Sequence, residues 1–421
     1  MPSRTAEVAE DAALMTAARS LLSASAVRDR AQRLLALALD GREQHWSVDL
    51  DRLPAAAEFV ASVVRDRYPL LNPPPHARWR HFQFEGRDLW RDTAAAARWP
   101  GSAAATRAAF DLVITSVLLD AGAGAAWRYR DPLSGLIAGR SEGLALASLR
   151  WFTSGGLSDV TDDPLRVDAT VLRRIDTRAV SQALQVSDTN PLQGTAGRAA
   201  LLNRLGATVQ ARPDLFGLAD SPRPGGLFDA IARRASAGRV PATVILETLL
   251  DAFGPIWQDR PRLAGVPLGD CWPHPALGGN TTADRYVPLH KLSQWLAYSL
   301  IEPLEHAGIT VFEVGELTGL AEYRNGGLFV DMGVLVPRDP ATWSATHAVP
   351  DPFVVGWRAM TVALLDRIAP LVREQLGLNA EALPLARVLE GGTWAAGRLI
   401  ARQRRPDGGP PFHILSDGTV F

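Results

Sequence analysis

The chain holds a single lysine, Lys291, among 44 basic residues; arginine fills the other basic positions. The two cations differ: an ammonium is a compact point charge that can lose its proton when buried, whereas a guanidinium is a planar fork that stays charged. A lone lysine is therefore a candidate for work that arginine cannot do. On a helix expected from Leu289 to Glu305, Lys291, Gln294, Tyr298, Glu302 and Glu305 recur at spacings of three or four and share one polar face. Beside them Leu292, Leu296, Leu300 and Leu304 form a core stripe. Polar stripes are commonly just solvated. Here Trp295 borders the face, and Gln and Tyr make directed hydrogen bonds, so the face reads as part of a binding site.

Four further clusters combine polar and aromatic residues with glycine turns: Trp79-Arg80-His81-Phe82, Asp120 to Asp131, Gly139 to Gly143 and Glu390 to Arg398. Glu322 to Gly327 belongs with the Lys291 segment. Gly139-Arg140-Ser141-Glu142-Gly143 has the GxSxG spacing of a nucleophile elbow, which requires a strand before it and a helix after it. Leu136-Ile137-Ala138 is the sole strand material, so Ser141 reads more simply as a helix cap or a turn residue. The eight histidines form no HExxH or HxH, and no metal site is expected. Gly122-Ala123-Gly124 follows a helix-like segment, which is the wrong context for a dinucleotide loop. No cofactor is implied.

These clusters are strung on helices. Periodicity predicts helices over 27–39, 52–67, 105–120, 141–154, 195–206, 227–237, 240–252, 289–307, 354–376 and 394–404. Asp51 can cap the second of these, with Pro54 in its first turn. Strand signals are short: Trp79 to Phe84, Thr310 to Phe312 and a closing hairpin, Ile414-Leu415-Ser416 and Thr419-Val420-Phe421 about Asp417-Gly418. The expected fold is mainly α, a single compact multi-helix domain over residues 25–421 with minor β hairpins, preceded by a mobile segment over 1–24.

Of 421 residues, 47% are hydrophobic and 21% charged, and the net charge is -1. No global field is available to hold a polyanion, which argues against nucleic acid as a partner. One cysteine, Cys271, excludes an internal disulfide and fits a reducing compartment. No apolar run reaches the roughly 18–20 residues that span a bilayer. The N-terminus is too polar for a signal peptide. A cytoplasmic protein, monomer or homodimer, is expected.

At HARWRHF (76–82), LLDAGAGAAWRYRD (118–131), GRSEGLALASL (139–149), DPLRVDA (163–169), HKLSQWLAYSLIEPLE (290–305), LTGLAEYRNGGLFVDMGVL (317–335), LEGGTWAAGR (389–398) and SDGTVF (416–421) the chain resembles a family tied to the alternative uracil catabolic route of fungi and bacteria. The motif order is also similar to that of queuosine-salvage nucleosidases, helical enzymes that hydrolyse an N-glycosidic bond. Their Asp-x6-Trp matches Asp120 to Trp127, and their Lys-x-x-Gln matches Lys291 and Gln294. Their Leu-Thr-x-x-Ala-Asp-Tyr-Arg matches Leu317 to Arg324, and a Pro-Leu-x(n)-Arg-x3-Leu element matches Pro191-Leu192 through Arg198-Leu202. Glu322 stands where that family has Asp, one methylene longer. Gly and Ala replace its Asn-Phe-x-Phe between Asp120 and Trp127, consistent with a substrate lacking a flat base.

The resemblance implies a nucleosidase/DNA-glycosylase-like helical scaffold and an N-ribosidic hydrolase. Its small-molecule ribosyl substrate would be a uracil-derived ribosylurea or its 5′-phosphate, giving urea and ribose (phosphate). Breaking a ribosyl C–N bond builds positive charge on the sugar, which a carboxylate stabilises while it orients or deprotonates water. Glu322 is the first choice for that role and Asp120 the second. Lys291 and Arg324 would bind a phosphate or polarise the leaving group. Gln294 would bond hydroxyls or a ureido group, and Trp127, Tyr298 and Tyr323 would line the site. Arg324-Asn325-Gly326-Gly327 has the alternative reading of a helix C-cap. Two rival functions stay open: an amidohydrolase attacking the ureido carbonyl through Ser141, and a non-catalytic nucleotide-binding protein on a nucleosidase scaffold.

Overall fold

Helices carry most of the chain because its alanine- and leucine-rich stretches repeat their apolar residues every three to four positions. This computed structural model describes residues 4–124, 126–217 and 221–415 and is mainly α, with only two-stranded sheets among those residues. Contacts gather into two compact units. One is built from the chain up to His76, Asp259–Gln294 and Val314–Leu415; the other from Ala77–Gln258 and Trp295–Glu313. The helix Lys291–His306 gives its first turn to the first unit and the rest to the second.

In the first unit, helices Ala24–Leu39 and Leu53–Arg67 pack on the 25-residue helix Pro352–Leu376. Ser23 opens the first of these, its Oγ accepting from the Ala26 N–H at 3.2 Å. The long helix is buried without interruption from Phe353 to Leu365, so Arg358 lies inside the core and must find a carboxylate there. In the second unit, helix Ser102–Leu118 is buried from Ala108 onward and packs against helix Arg140–Thr153. A helix that is buried all round belongs at the centre of its unit.

The segment to residue 24 holds helix Arg4–Ser20 and the first residue of helix Ala24–Leu39, and three local expectations change further on. Ala18 and Leu21 are buried with Leu263, Val266, Leu268, Cys271 and Ala283, and Leu14 packs against them. That apolar stripe at helical spacing is hidden in the sequence by the charges around it. Asp51 does not cap the Leu53 helix; it sits in the 3-10 turn Leu50–Arg52, which Asp49 caps by accepting from the Asp51 N–H at 3.1 Å. Trp79 to Phe82 is a 3-10 helix, Arg78–Phe82, with only Gln83–Phe84 extended. Ile414 and Leu415 lie in strand His413–Leu415, which runs parallel to Thr346–Ala348; the remainder of the expected closing hairpin, 416–421, lies outside the described residues.

Candidate functional site

The second unit centres its polar chemistry on Arg78. The guanidinium is fully buried, and burial pushes its pKa down against the opposing pull of Asp120 and Glu142. Nη1 donates to Asp120 Oδ2 at 2.7 Å and to the Ser141 carbonyl at 3.3 Å. Nε donates to Ser116 Oγ at 2.7 Å and Nη2 to the Ser116 carbonyl at 3.3 Å. The same Nη1 lies 3.3 Å from His81 Nδ1. A guanidinium has no acceptor, so this ring nitrogen must offer its lone pair and the imidazole proton sits on Nε2. Trp295 covers the guanidinium face at 5.5 Å.

Asp120 follows the end of helix Ser102–Leu118, and Arg198 fixes the turn that carries it. The buried Arg198 donates to the carbonyls of Leu119 at 2.9 Å, Ala121 at 2.6 Å and Gly122 at 3.4 Å, and also to that of Gln193. Burial brings this guanidinium down to about 10, with Asp120 pulling the other way. Ser141 Oγ donates to Asp120 Oδ2, the oxygen that Arg78 already holds. No described residue bonds Oδ1.

The GxSxG segment does have the context that the sequence left in doubt. Strand Ile137–Gly139 leads into helix Arg140–Thr153. The left-handed residue is Arg140 (φ 53), however, and not the serine. The partners of Ser141 Oγ are Asp120 and Arg78, with no histidine among the described residues. Its hydroxyl therefore supports Asp120 and has no base of its own.

In the first unit, Glu322 is the N-cap of helix Tyr323–Asp331. Oε1 accepts from the Asn325 N–H at 2.7 Å and Oε2 from the Arg324 N–H at 3.0 Å. Both oxygens of this buried carboxylate thus serve backbone donors. Arg324-Asn325-Gly326-Gly327 opens the helix and does not close it. Arg324 Nη1 donates to the Gly408 carbonyl at 2.7 Å, and its guanidinium lies 4.6 Å from the centre of the half-buried Tyr323 ring. Asn325 Oδ1 accepts from Thr393 Oγ1 at 2.9 Å.

Thr393 ends a π-turn, Leu389–Thr393, whose Glu390 meets His76 Nδ1 at 2.5 Å. π-turns cost stability and gather at functional sites. Two glycines allow the helices here to close up. A Cβ on Gly397 would collide with the Arg324 carbonyl oxygen, and one on Gly326 would come within 2.7 Å of Thr361 Oγ1 and Trp357 Nε1. Gly397→Ala should therefore lower stability by about 1–3 kcal/mol, seen as a reduced denaturant midpoint at unchanged slope.

Glu322→Gln keeps one acceptor and turns an NH2 toward a backbone N–H. It should cost about 1–2 kcal/mol, measured by the melting temperature.

Lys291 starts its helix half-buried, and its backbone N–H donates to Asp270 Oδ2 at 3.1 Å. Asp270 is gripped by both ends of the Arg358 fork, at 2.7 Å each, and accepts from Trp272 Nε1 at 2.9 Å. Burial raises this carboxyl, but Arg358 overcomes it and holds the group well below the usual carboxylate range. Gln294 is fully buried; its Nε2 donates to Thr318 Oγ1 at 2.8 Å, and its Oε1 has no partner among the described residues.

The polar face of the Lys291 helix is thus buried at Gln294 and Tyr298, half-buried at Lys291 and Glu302, and exposed at Glu305. Lys291, Gln294, Glu322, Tyr323 and Arg324 belong to the first unit; Asp120, Trp127 and Tyr298 belong to the second. Trp127 is fully buried and donates from Nε1 to the Leu184 carbonyl at 2.9 Å, a core position with no exposed face.

Arg78 and the pairs Asp270–Arg358 and His76–Glu390 were not singled out from the sequence. His76 and Arg78 lie inside HARWRHF and Glu390 inside LEGGTWAAGR, but among 43 arginines nothing local marks the few that are buried. Among the described residues, no group of three or more His, Cys, Asp and Glu side chains could hold a metal ion. No helix among them is long and apolar enough to cross a membrane.

The profile of a family described as "Protein of unknown function (DUF1688)" matches residues 20–421. The chain is similar to "Uracil catabolism protein 4" of Lachancea kluyveri, 37% identical over 416 residues covering 91% of this chain and 93% of that protein. It is likewise similar to "Protein urg3" of Schizosaccharomyces pombe, 38% identical over 413 residues covering 95% of this chain and 98% of that protein.

Proposed function

The chain belongs to the DUF1688 family of proteins of unknown function, and from that membership and the geometry of Asp120 we propose that it acts in uracil catabolism as an N-ribosidic hydrolase. Its substrate is a ribosylurea or the 5′-phosphate of one, and its products are urea and ribose (phosphate). The name of the Lachancea relative supports the pathway.

The observation that supports the reaction is the one-sided grip on Asp120. Arg78 and Ser141 both hold Oδ2, and Oδ1, which no described residue bonds, faces a ligand or a water in this reading. Such a carboxylate is pre-oriented and cannot turn away. As the C1′–N bond lengthens, its charge stabilises the cationic sugar. Oδ1 takes a proton from water while the water oxygen bonds C1′. The departing nitrogen keeps the bonding electron pair and takes up a proton, completing urea.

In this reading Glu322 caps the helix that follows it and leaves the proton work to Asp120.

The test incubates purified protein with synthetic ribosylurea and its 5′-phosphate and follows urea and free sugar together. Urea and sugar appearing in equal amounts, and lost in Asp120→Asn, is the expected result. Ammonia released ahead of free sugar, and lost in Ser141→Ala, would replace this reading with attack on the ureido carbonyl. Ligand-induced stabilisation with no turnover would leave a binding protein.

A further inference from the structure

We propose that Arg78 is the positioning residue of the Asp120 site, and that the oxygen it leaves open reads a neutral hydrogen-bond donor of the ligand, an N–H or an O–H. For the reaction itself this rests on the reading above; for binding it stands apart from turnover.

Asp120 is an acceptor with one usable oxygen, because Oδ2 already carries Arg78 Nη1 at 2.7 Å and the Ser141 hydroxyl. The carboxylate has small but real access to solvent, its side chain being 9% exposed. Neither buried arginine around it has the arrangement of an anion site. Arg78 spends its fork on Asp120, Ser116 and Ser141. Arg198 spends its fork on the carbonyls of Leu119, Ala121, Gly122 and Gln193. A phosphate brought to Oδ1 would meet a negative oxygen with both guanidiniums committed elsewhere. A donor group meets a ready acceptor.

Arg78 is itself fixed from the far side. Ser116 Oγ, which takes its Nε–H, also bonds Ser148 Oγ at 2.6 Å, and Ser148 Oγ donates to the Ala145 carbonyl at 2.8 Å. This chain ties the guanidinium to the buried helices Ser102–Leu118 and Arg140–Thr153, so the direction of Oδ1 is set by the core of the unit. A ureido group and a ribose both carry neutral donors, which is the shared chemistry that the site recognises.

Calorimetric binding and steady-state turnover with synthetic ribosylurea test this, alongside two analogues. One is 2-deoxyribosylurea, which lacks a sugar hydroxyl; the other is the terminal N,N-dimethyl ureido compound, which lacks the NH2 donors. For the wild type, one analogue should bind at least about 10-fold more weakly, and that identifies the donor. The same analogue should lose its disadvantage in Asp120→Asn, whose NH2 presents a donor where Oδ1 accepted.

Arg78→Lys keeps the charge but loses the fork. It should lower kcat by about 10²-fold with KM changed less than about threefold, because a base displaced by about 1 Å loses that much rate. Added methylguanidinium should restore part of the turnover of Arg78→Ala, a rescue that a purely structural role does not produce. Should the Arg78 variants not fold, Ser141→Ala removes the other grip on Oδ2 and carries the same comparison.

Arg78→Lys or Ser141→Ala with normal melting, turnover within threefold of wild type and unchanged analogue discrimination overturns the proposal. Asp120-dependent discrimination between analogues without any urea release sustains it while removing the hydrolase reading.

Discussion

Asp120→Asn releases urea from ribosylurea about 10²–10⁴-fold more slowly than the wild type, the range expected when a positioned base is lost. The amide is nearly isosteric with the carboxylate. Its carbonyl oxygen can still accept from Arg78 and from Ser141, which orients the NH2 along the direction of Oδ1. A donor then faces the water or the substrate, and neither the proton transfer nor the charge stabilisation survives.

The fold survives because the turn at Asp120 is held through backbone carbonyls by Arg198, independently of the carboxylate. Arg78 loses its direct counter-charge, so the melting temperature falls somewhat. Circular dichroism beside the urea assay separates that loss from the rate. Glu322→Gln supplies the contrast: its carboxylate serves backbone N–H groups at 2.7 and 3.0 Å, so stability drops while turnover per folded molecule stays close to wild type. Reversal of the two phenotypes, with Glu322→Gln folded and inert and Asp120→Asn active, would return the catalytic role to Glu322.

The contrast also shows what a linear pattern can and cannot carry. The predicted span 240–252 is helix Ala242–Phe253, and 354–376 is helix Pro352–Leu376, because apolar periodicity is a local property that folding preserves. The polar face of the Lys291 helix was equally visible, but its burial at Gln294 and Tyr298 depends on what packs over it. Glu322 reads as a catalytic carboxylate in the sequence because its motif is similar to one. That Glu322 begins a helix and spends both oxygens on it depends on where the chain turns, which Leu-Thr-Gly-Leu-Ala-Glu does not announce. Arg78 was the least legible. A buried arginine becomes distinctive only through partners 38, 42 and 63 positions away, and no local spacing encodes those separations.

Asp270→Asn should be the most destabilising of the single changes considered, at about 3–5 kcal/mol, because it removes the carboxylate counter-charge that both ends of the buried Arg358 fork grip. The side chain of Arg358 is 2% exposed and the paired Asp270 15%, so solvent does little to screen the loss. The pair is also joined to its surroundings. Arg358 Nε donates to the Ala321 carbonyl at 3.2 Å, one residue before Glu322. The Asp270 carbonyl accepts from the N–H groups of Leu289 at 2.9 Å and His290 at 3.0 Å, where the chain passes through a left-handed residue (His290, φ 45) to start the Lys291 helix.

Acid should act on the same pair. Arg358 holds the Asp270 carboxyl below its ordinary value despite burial, so the unfolded chain binds this proton more readily than the folded one. The stabilisation is therefore complete above about pH 4, the unfolded value, and is lost as pH falls toward the folded one. Wild-type melting temperatures should decline through that acid window. Asp270→Asn, already destabilised at neutral pH, should decline less steeply there. Parallel declines for the two proteins would assign the acid sensitivity to other carboxylates. A neutral-pH loss under about 1 kcal/mol would show that Arg358 finds water or another carboxylate once Asp270 is gone, and that the start of the Lys291 helix holds without it.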